Sequence, residues 1–332
     1  MVRSFLMLIN EYSKKMRRSA ARYALYGTSF VLVRLPYRMV RAVTGFLISL
    51  GLMTLVRQKK MAQESLEFAL GQEKTSQEIQ KILKNCFVNL GKGIIELIYF
   101  MAHPKMIKEK VSFVGKEHLD AALSQGKGVV LVSAHFGNFP LMLLRLAQEG
   151  YATKAIVRRP RDEKIEEHFQ KKRTALGLHV IYAHPRKQCV MESFKALRNN
   201  ELLFIPLDQN FGSGTGVFVE FFGEKAATAT GPVLFAMKEG SPIVPIFMVR
   251  QSDDTNKIMI EPALMLESKE NDQQTIEHNV ARITHIIETY IRRYPQEWGW
   301  MHRRWKTRPK IEVHDEEDSF GAAGACCAHS RS

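Results

Sequence analysis

The sequence predicts an α/β protein: a mainly parallel, mixed sheet flanked by helices, preceded by a membrane-associated helical region. Three observations carry this reading. Short apolar runs alternate with helical stretches from about residue 111 onward, the pattern of right-handed crossovers between buried parallel strands. A long amphipathic helix stands in front of that alternation. The first 60 residues combine an uncharged apolar run with dense positive charge. The 332 residues are 45% apolar and 25% charged, which excludes disordered and fibrous chains and leaves room for a sizeable core.

Residues 1–60 hold twelve Lys or Arg against Glu11 alone, a net +11 out of the chain's +14. Within them "AVTGFLISLGLMTLV", residues 42–56, is fifteen residues without a charge, short of the ~20 that span a bilayer. Arg34, Arg38, Arg41, Arg57, Lys59 and Lys60 flank it and are placed to snorkel toward an anionic leaflet. Residues 1–60 therefore read as a membrane-surface anchor, whether residues 42–56 span or lie in the membrane; the plainer alternative is a buried core helix beside a basic face. A cleaved signal peptide does not fit, because the apolar run comes late and no small-residue cleavage site follows. Nucleic-acid binding is disfavoured, since phosphate contacts alone do not explain why the basic residues bracket apolar sequence.

Thr75 and Glu78 have capping-box spacing, and Ile79, Ile82, Leu83, Cys86, Phe87, Leu90, Ile94, Leu97 and Ile98 follow at helical intervals. They predict a helix over 75–101 packed on the main domain. VVLVS (129–133), KAIVR (154–158), HVIYA (179–183), LLFIPL (202–207), IVPIFMV (243–249) and KIMIEP (257–262) read as strands. Residues 139–149, 162–176, 187–199, 230–239 and 274–293 read as helices. The expected organisation is an anchor over 1–60, an α/β domain over 61–310, and a disordered Gly/Ala-rich tail over 311–332 that carries Cys326 and Cys327. The four cysteines show neither CxxC pairing nor zinc spacing and read as reduced thiols; no metal site is expected. There is no phosphate-binding glycine loop, no GxGxxG and no GxSxG.

In such sheets ligands sit beyond the carboxyl ends of the strands. His135 follows the first strand, Arg158 and Arg159 the second, and Asp208 the fourth, so one cleft is expected to collect them. His135, in "VSAHFGNFPL", is a candidate general base because imidazole titrates near neutrality. Backbone N–H groups at the helix start, around Asn138 and Phe139, are free to receive an oxyanion. Asn138 reads equally as an N-cap with Pro140 in the first turn. The arginine pair suits bidentate contact with a phosphate, or is a solvated loop pair. The window Lys154–Lys187 carries ten basic against four acidic residues, a surface that would steer an acidic partner. Trp298, Trp300 and Trp305, interleaved with Arg303 and Arg304, read either as an interfacial belt or as closure of the core. His184 and His302 have no partner at metal spacing and read as structural.

The segments "SAHFGNFP", "VRRPRD", "IPLDQN", "FFGEKAATATGP", "SPIVPIF" and "WGWMHRRWKTRP", in this order, resemble the lysophospholipid acyltransferase superfamily, most closely its bacterial late lipid A acyltransferase branch, over about residues 30–309. The resemblance implies transfer of a fatty acyl chain from an acyl carrier protein thioester to a hydroxyl of a lipid A precursor or related glycolipid at the cytoplasmic face of the inner membrane, with a lysophospholipid acceptor as the alternative. No cofactor is implied. It makes His135 the general base and Gly137 and Asn138 its oxyanion and positioning residues. Arg158 or Arg159 becomes the acceptor-phosphate contact, Asp208 and Gln209 the third block of the substrate site, and Pro242–Ile246 a structural strand. The family motif places Asp or Glu five positions after the histidine, where this chain has Pro140. Proline cannot orient an imidazole, so either Asp208, Glu220, Glu224 or a backbone carbonyl holds the ring, or the chain is a non-catalytic membrane-bound scaffold.

Overall fold

The runs predicted as central strands are buried along their length, which a parallel strand covered on both faces by helices requires. The structure, a computed structural model, describes residues 22–160, 162–212 and 214–309 together with Met16, Ser19 and Ala20. The expected tail, with Cys326 and Cys327, lies outside the described residues.

Residues 22–32 are helical (α1), followed by α2 (Tyr37–Thr54), α3 (Val56–Leu70), α4 (Ser76–Ala102) and α5 (Pro104–Lys110). The α/β part then runs β1 (Val111–Val114), α6 (Lys116–Leu123), β2 (Val129–Ser133), α7 (Phe139–Gln148), β3 (Thr153–Val157), α8 (Glu163–Ala175), β4 (Leu178–Tyr182), α9 (Arg186–Arg198) and β5 (Leu202–Pro206). A hairpin, β6 (Val217–Phe221) and β7 (Glu224–Thr228), precedes α10 (Gly231–Glu239), β8 (Ile243–Arg250), β9 (Asn256–Ile260) and α11 (Asp272–Arg293). The six predicted strands and five predicted helices of this part are all present, displaced by one or two residues at their ends.

The seven-stranded sheet has the order β1-β9-β8-β2-β5-β3-β4. Only the β8–β9 pairing is antiparallel, so β1 and β9 run against the other five strands. In register, Ser133 of β2 stands beside Pro206 of β5, which levels the carboxyl ends of these two strands, while Val132 stands beside Pro245 of β8, which runs on to Arg250. Alternate residues face two apolar cores. Val130, Val132 and Leu203 pack with α11, Trp298 and Trp300, whereas Val129, Leu131 and Phe204 pack with α7 and the C-terminal half of α4.

The β6–β7 hairpin is absent from the sequence expectation. Its two-residue turn is Phe222–Gly223, both at positive φ (55° and 76°), the twist that tight hairpins prefer but with a phenylalanine where Asn or Gly normally signals it. The capping box of α4 is present as expected: the Thr75 side chain accepts from the Glu78 N–H, and Glu78 accepts from the Thr75 N–H.

The apolar run 42–56 is not one helix: α2 and α3 meet at 86°. Among the described residues no single helix is long and apolar enough to cross a membrane, although this bent pair is so by length and composition together. Nor is α2 a buried core helix. Val40, Thr44 and Ile48 pack inward, with Ile48 pressed against Gly91 of α4, while Met39, Val43, Phe46, Leu50 and Met53 form an exposed apolar stripe. Of the two readings of the tryptophans, closure of the core holds for Trp298 and Trp300, which are wholly buried.

Candidate active site

Two loops leave neighbouring strand ends and face each other. After β2 the chain turns through Ala134–Asn138 into α7. Gly137, at φ 56°, is required there, since a Cβ would stand 2.0 Å from the Met248 carbonyl oxygen of β8. A second segment, 297–299, clamps this turn: the Gly137 N–H donates to the Glu297 carbonyl (2.8 Å) and the Gly299 N–H to the His135 carbonyl (3.2 Å). Phe136 is buried edge-on against Phe247 and Tyr290. After β5, the Leu207 N–H continues the ladder to the Ser133 carbonyl at 2.9 Å. Asp208 is thereby delivered beside His135.

The outcome is a hydrogen-bonded chain. The His135 Nδ1–H donates to Asp208 Oδ1 at 2.8 Å, and the Trp298 Nε1–H donates to Asp208 Oδ2 at 2.7 Å. The Gln209 side-chain amide donates to His135 Nε2 at 3.1 Å. An ionised carboxylate on Nδ1 fixes the tautomer, leaving Nε2 as the basic nitrogen. Burial pushes the Asp208 carboxyl up, but the charge and hydrogen bond of His135 and the Trp298 N–H outweigh it and hold Asp208 down at about 2. Burial pulls the His135 pKa down, and the charge and hydrogen bond of Asp208 outweigh that in turn, so the imidazole is raised above its ordinary value. The position left empty of a carboxylate by Pro140 is thus compensated from another strand.

The remaining expected residues separate. Glu220 and Glu224 are exposed on the hairpin, and Glu224 pairs with Arg308 at 3.2 Å, so neither is the carboxylate hydrogen-bonded to the ring. Asp208 is 1% exposed with both oxygens occupied, which leaves it nothing to offer a substrate directly. Asn138 sits at the N-cap position of α7 without capping it; its side-chain amide donates instead to the Gly93 carbonyl of α4 at 3.0 Å. What remains toward the site is the backbone N–H at the start of α7. Arg158 lines a cavity of 740 Å³ that reaches from His135, Gln209 and Phe139 over β3, β4 and β5 to Val180 and Phe204. Arg159 turns aside and stacks on Tyr182 at 4.3 Å. A smaller cavity of 190 Å³ opens on the other side of His135, between α4 and residues 296–302.

Residues 10–307 match the family described as bacterial lipid A biosynthesis acyltransferase. The chain belongs to that family, and with it to the acyltransferase enzymes. It is similar to the lipid A biosynthesis lauroyltransferase of Escherichia coli strain K12, 28% identical over 86% of this chain and 90% of the relative. It is similar likewise to the palmitoleoyltransferase of the same strain, 25% identical over 85% and 90%. A phosphatidylinositol mannoside acyltransferase of Mycobacterium tuberculosis (strain CDC 1551 / Oshkosh) matches at 30% identity over 44% of this chain and 46% of its own length.

Several residues of this site carry no local signal in the sequence. Trp298 is recognisable only as one of three tryptophans, and its bond to Asp208 depends on tertiary contact. His302, read as structural, has its ring centroid 5.2 Å from that of His135. Arg304 is wholly buried, donating to the Ala227 carbonyl at 2.6 Å and fastening the hairpin beneath the Gln209 loop. The only sequence signal they share is their closeness, Trp298, His302 and Arg304 all falling within seven residues around Gly299.

Proposed function

We propose that the protein transfers a fatty acyl chain from an acyl carrier protein thioester to a hydroxyl of a lipid A precursor or a related glycolipid. His135 Nε2 takes the hydroxyl proton, and the oxygen attacks the thioester carbonyl. The tetrahedral intermediate expels the thiolate, which receives the proton back from the imidazolium, so ester and thiol are the products. Asp208 orients the ring and stabilises its charged form. The start of α7 offers N–H groups to the oxyanion. The acyl chain lies in the apolar 740 Å³ cavity, with Arg158 at its rim for an anionic group of either substrate.

The observation that carries this reading is the Trp298–Asp208–His135 chain, ending in an imidazole nitrogen at the mouth of an apolar cavity. The relatives' names supply the acceptor class, a glycolipid in each case. The scaffold reading drew its motive from Pro140, and that motive weakens with Asp208 in contact with the ring. The exposed stripe of α2 and the cationic N-terminal segment support seating on the anionic cytoplasmic face of the inner membrane.

The test is acyl transfer from a carrier-protein thioester, with His135→Ala expected to lose about 10²–10⁴-fold in kcat, the contribution of a general base. Equal rates for the two proteins refute the assignment. Mass spectrometry of lipids from cells lacking the protein names the acceptor by the acyl chain that disappears.

A further inference from the structure

We infer that His302 is a second catalytic residue of this site, its ring N–H completing the donor set for the tetrahedral oxyanion. The inference rests on the His135 reading and extends it.

Five observations place the ring there. His302 shares the wall of the 190 Å³ cavity with His135, Gly137, Asn138 and Phe139, the residues surrounding the proposed oxyanion position. Its ring lies 5.2 Å from that of His135, tilted by 59°, close enough for both to flank one reacting carbonyl. Among the described residues its ring nitrogens have no protein hydrogen-bond partner, although the ring is largely enclosed, so a donor is left for something that enters the cavity. Its backbone is fixed: the His302 N–H donates to the Gly299 carbonyl (3.2 Å), the Arg304 N–H donates to the His302 carbonyl (3.0 Å), and Trp300 and Arg304 on either side are wholly buried. Gly299 makes the seat, since a Cβ there would stand 3.3 Å from His302 Cδ2 and 3.4 Å from Nε2, while its N–H holds the His135 carbonyl. One glycine therefore sets both imidazoles.

The chemistry needs a neutral donor at this place. Burial, followed by the charge of His135, lowers the His302 pKa, so the ring stays neutral beside the imidazolium that His135 becomes. As the acceptor oxygen bonds to the carbonyl carbon, the π electrons move onto the carbonyl oxygen. That oxygen accepts from the α7 backbone and from the His302 N–H. When the C–S bond breaks the electrons return, and no proton leaves His302.

This role differs from protonation of the leaving thiolate, and two substitutions separate them. Glutamine keeps an N–H donor but cannot deliver a proton at neutral pH. His302→Phe is expected to lower kcat about 10²–10³-fold, as loss of one oxyanion donor does, with KM for both substrates within about threefold. His302→Gln is expected within about tenfold of wild type, and Gly299→Ala, which crowds the ring without removing it, several-fold below. If the Phe variant does not fold, His302→Ala assayed with and without free imidazole reads the same quantity, restoration being expected. A Phe variant at wild-type rate, or a Gln variant as slow as Phe or Ala, overturns the inference. His135→Ala in the same assay keeps the two claims apart: an inactive His135→Ala beside a fully active His302→Phe sinks only this inference, whereas an active His135→Ala removes the reading beneath it.

Discussion

Two buried carboxyl groups adjoin Trp298, Asp208 through the indole N–H and Glu297 as its neighbour in the chain, and they behave in opposite ways. Asp208 is held down at about 2, whereas Glu297 is pushed up to about 7. Burial raises both. The difference lies in what faces the oxygens. Asp208 receives the Nδ1–H of a chargeable ring on one oxygen and an indole N–H on the other. Glu297 accepts from the neutral side-chain amide of Asn89 at 2.8 Å and from the Arg250 backbone N–H, but the Arg250 guanidinium is engaged by both oxygens of Glu96 at 2.6 and 2.7 Å, and the Glu96 charge itself pushes Glu297 up. A buried carboxyl stays ionised where a chargeable group donates to it directly, not where its donors are neutral and the nearby cation is paired elsewhere.

The largest expected effect breaks the Asp208 side of this pair. Asp208→Asn leaves the ring in place but removes its orientation and charge, and kcat is expected to fall by about 10²–10⁴-fold. The pH profile gives the sign. In the wild type, activity is lost as pH falls through a His135 pKa raised above ~6.5; in the variant burial acts alone and the acid limb moves to lower pH. Glu220→Gln and Glu224→Gln, measured beside it, are expected within twofold of wild type.

Glu297→Gln tests the other side through stability. A carboxyl raised from 4.5 to about 7 contributes stability that is fully present below its unfolded pKa and is lost as pH rises through the folded value. The wild type is expected to lose about 3 kcal/mol more than Glu297→Gln between pH 4 and pH 8, read from denaturant midpoints at the two pH values. Equal losses would place water or a cation on Glu297. The smallest effect on rate sharpens the comparison: Trp298→Phe keeps an aromatic ring in this wholly buried place, leaves a small void and deletes one donor to Asp208. A stability loss of about 1–3 kcal/mol and a roughly tenfold lower kcat are expected, measured by denaturation and initial rates.

Sequence and structure agree where the physics is local. VVLVS and IVPIFMV are legible as central strands because burial on both faces leaves no polar alternation to obscure them. His135, Arg158 and Asp208 are legible as neighbours because strand ends of a parallel sheet share one edge. The bend between α2 and α3 is illegible because the apolar run continues through Leu55. The hairpin is hidden by Phe222 at a left-handed position. The orienting carboxylate stays one of three until the β2–β5 register is known, since Asp208, Glu220 and Glu224 differ in reach rather than in chemistry.

The clamp on the His135 turn comes from residues 297–299, over 150 positions further along. During synthesis His135 and Asp208 therefore leave the ribosome long before Glu297, Trp298 and Gly299 do. A nascent chain of two hundred and fifty residues already carries the central strands, His135 and Asp208, yet lacks the indole that donates to Asp208 and the amide that anchors the turn. Assembly of the Trp298–Asp208–His135 chain is deferred to the end of translation, so products terminated before residue 298 are expected to carry the central strands without the hydrogen bonds that fix this turn.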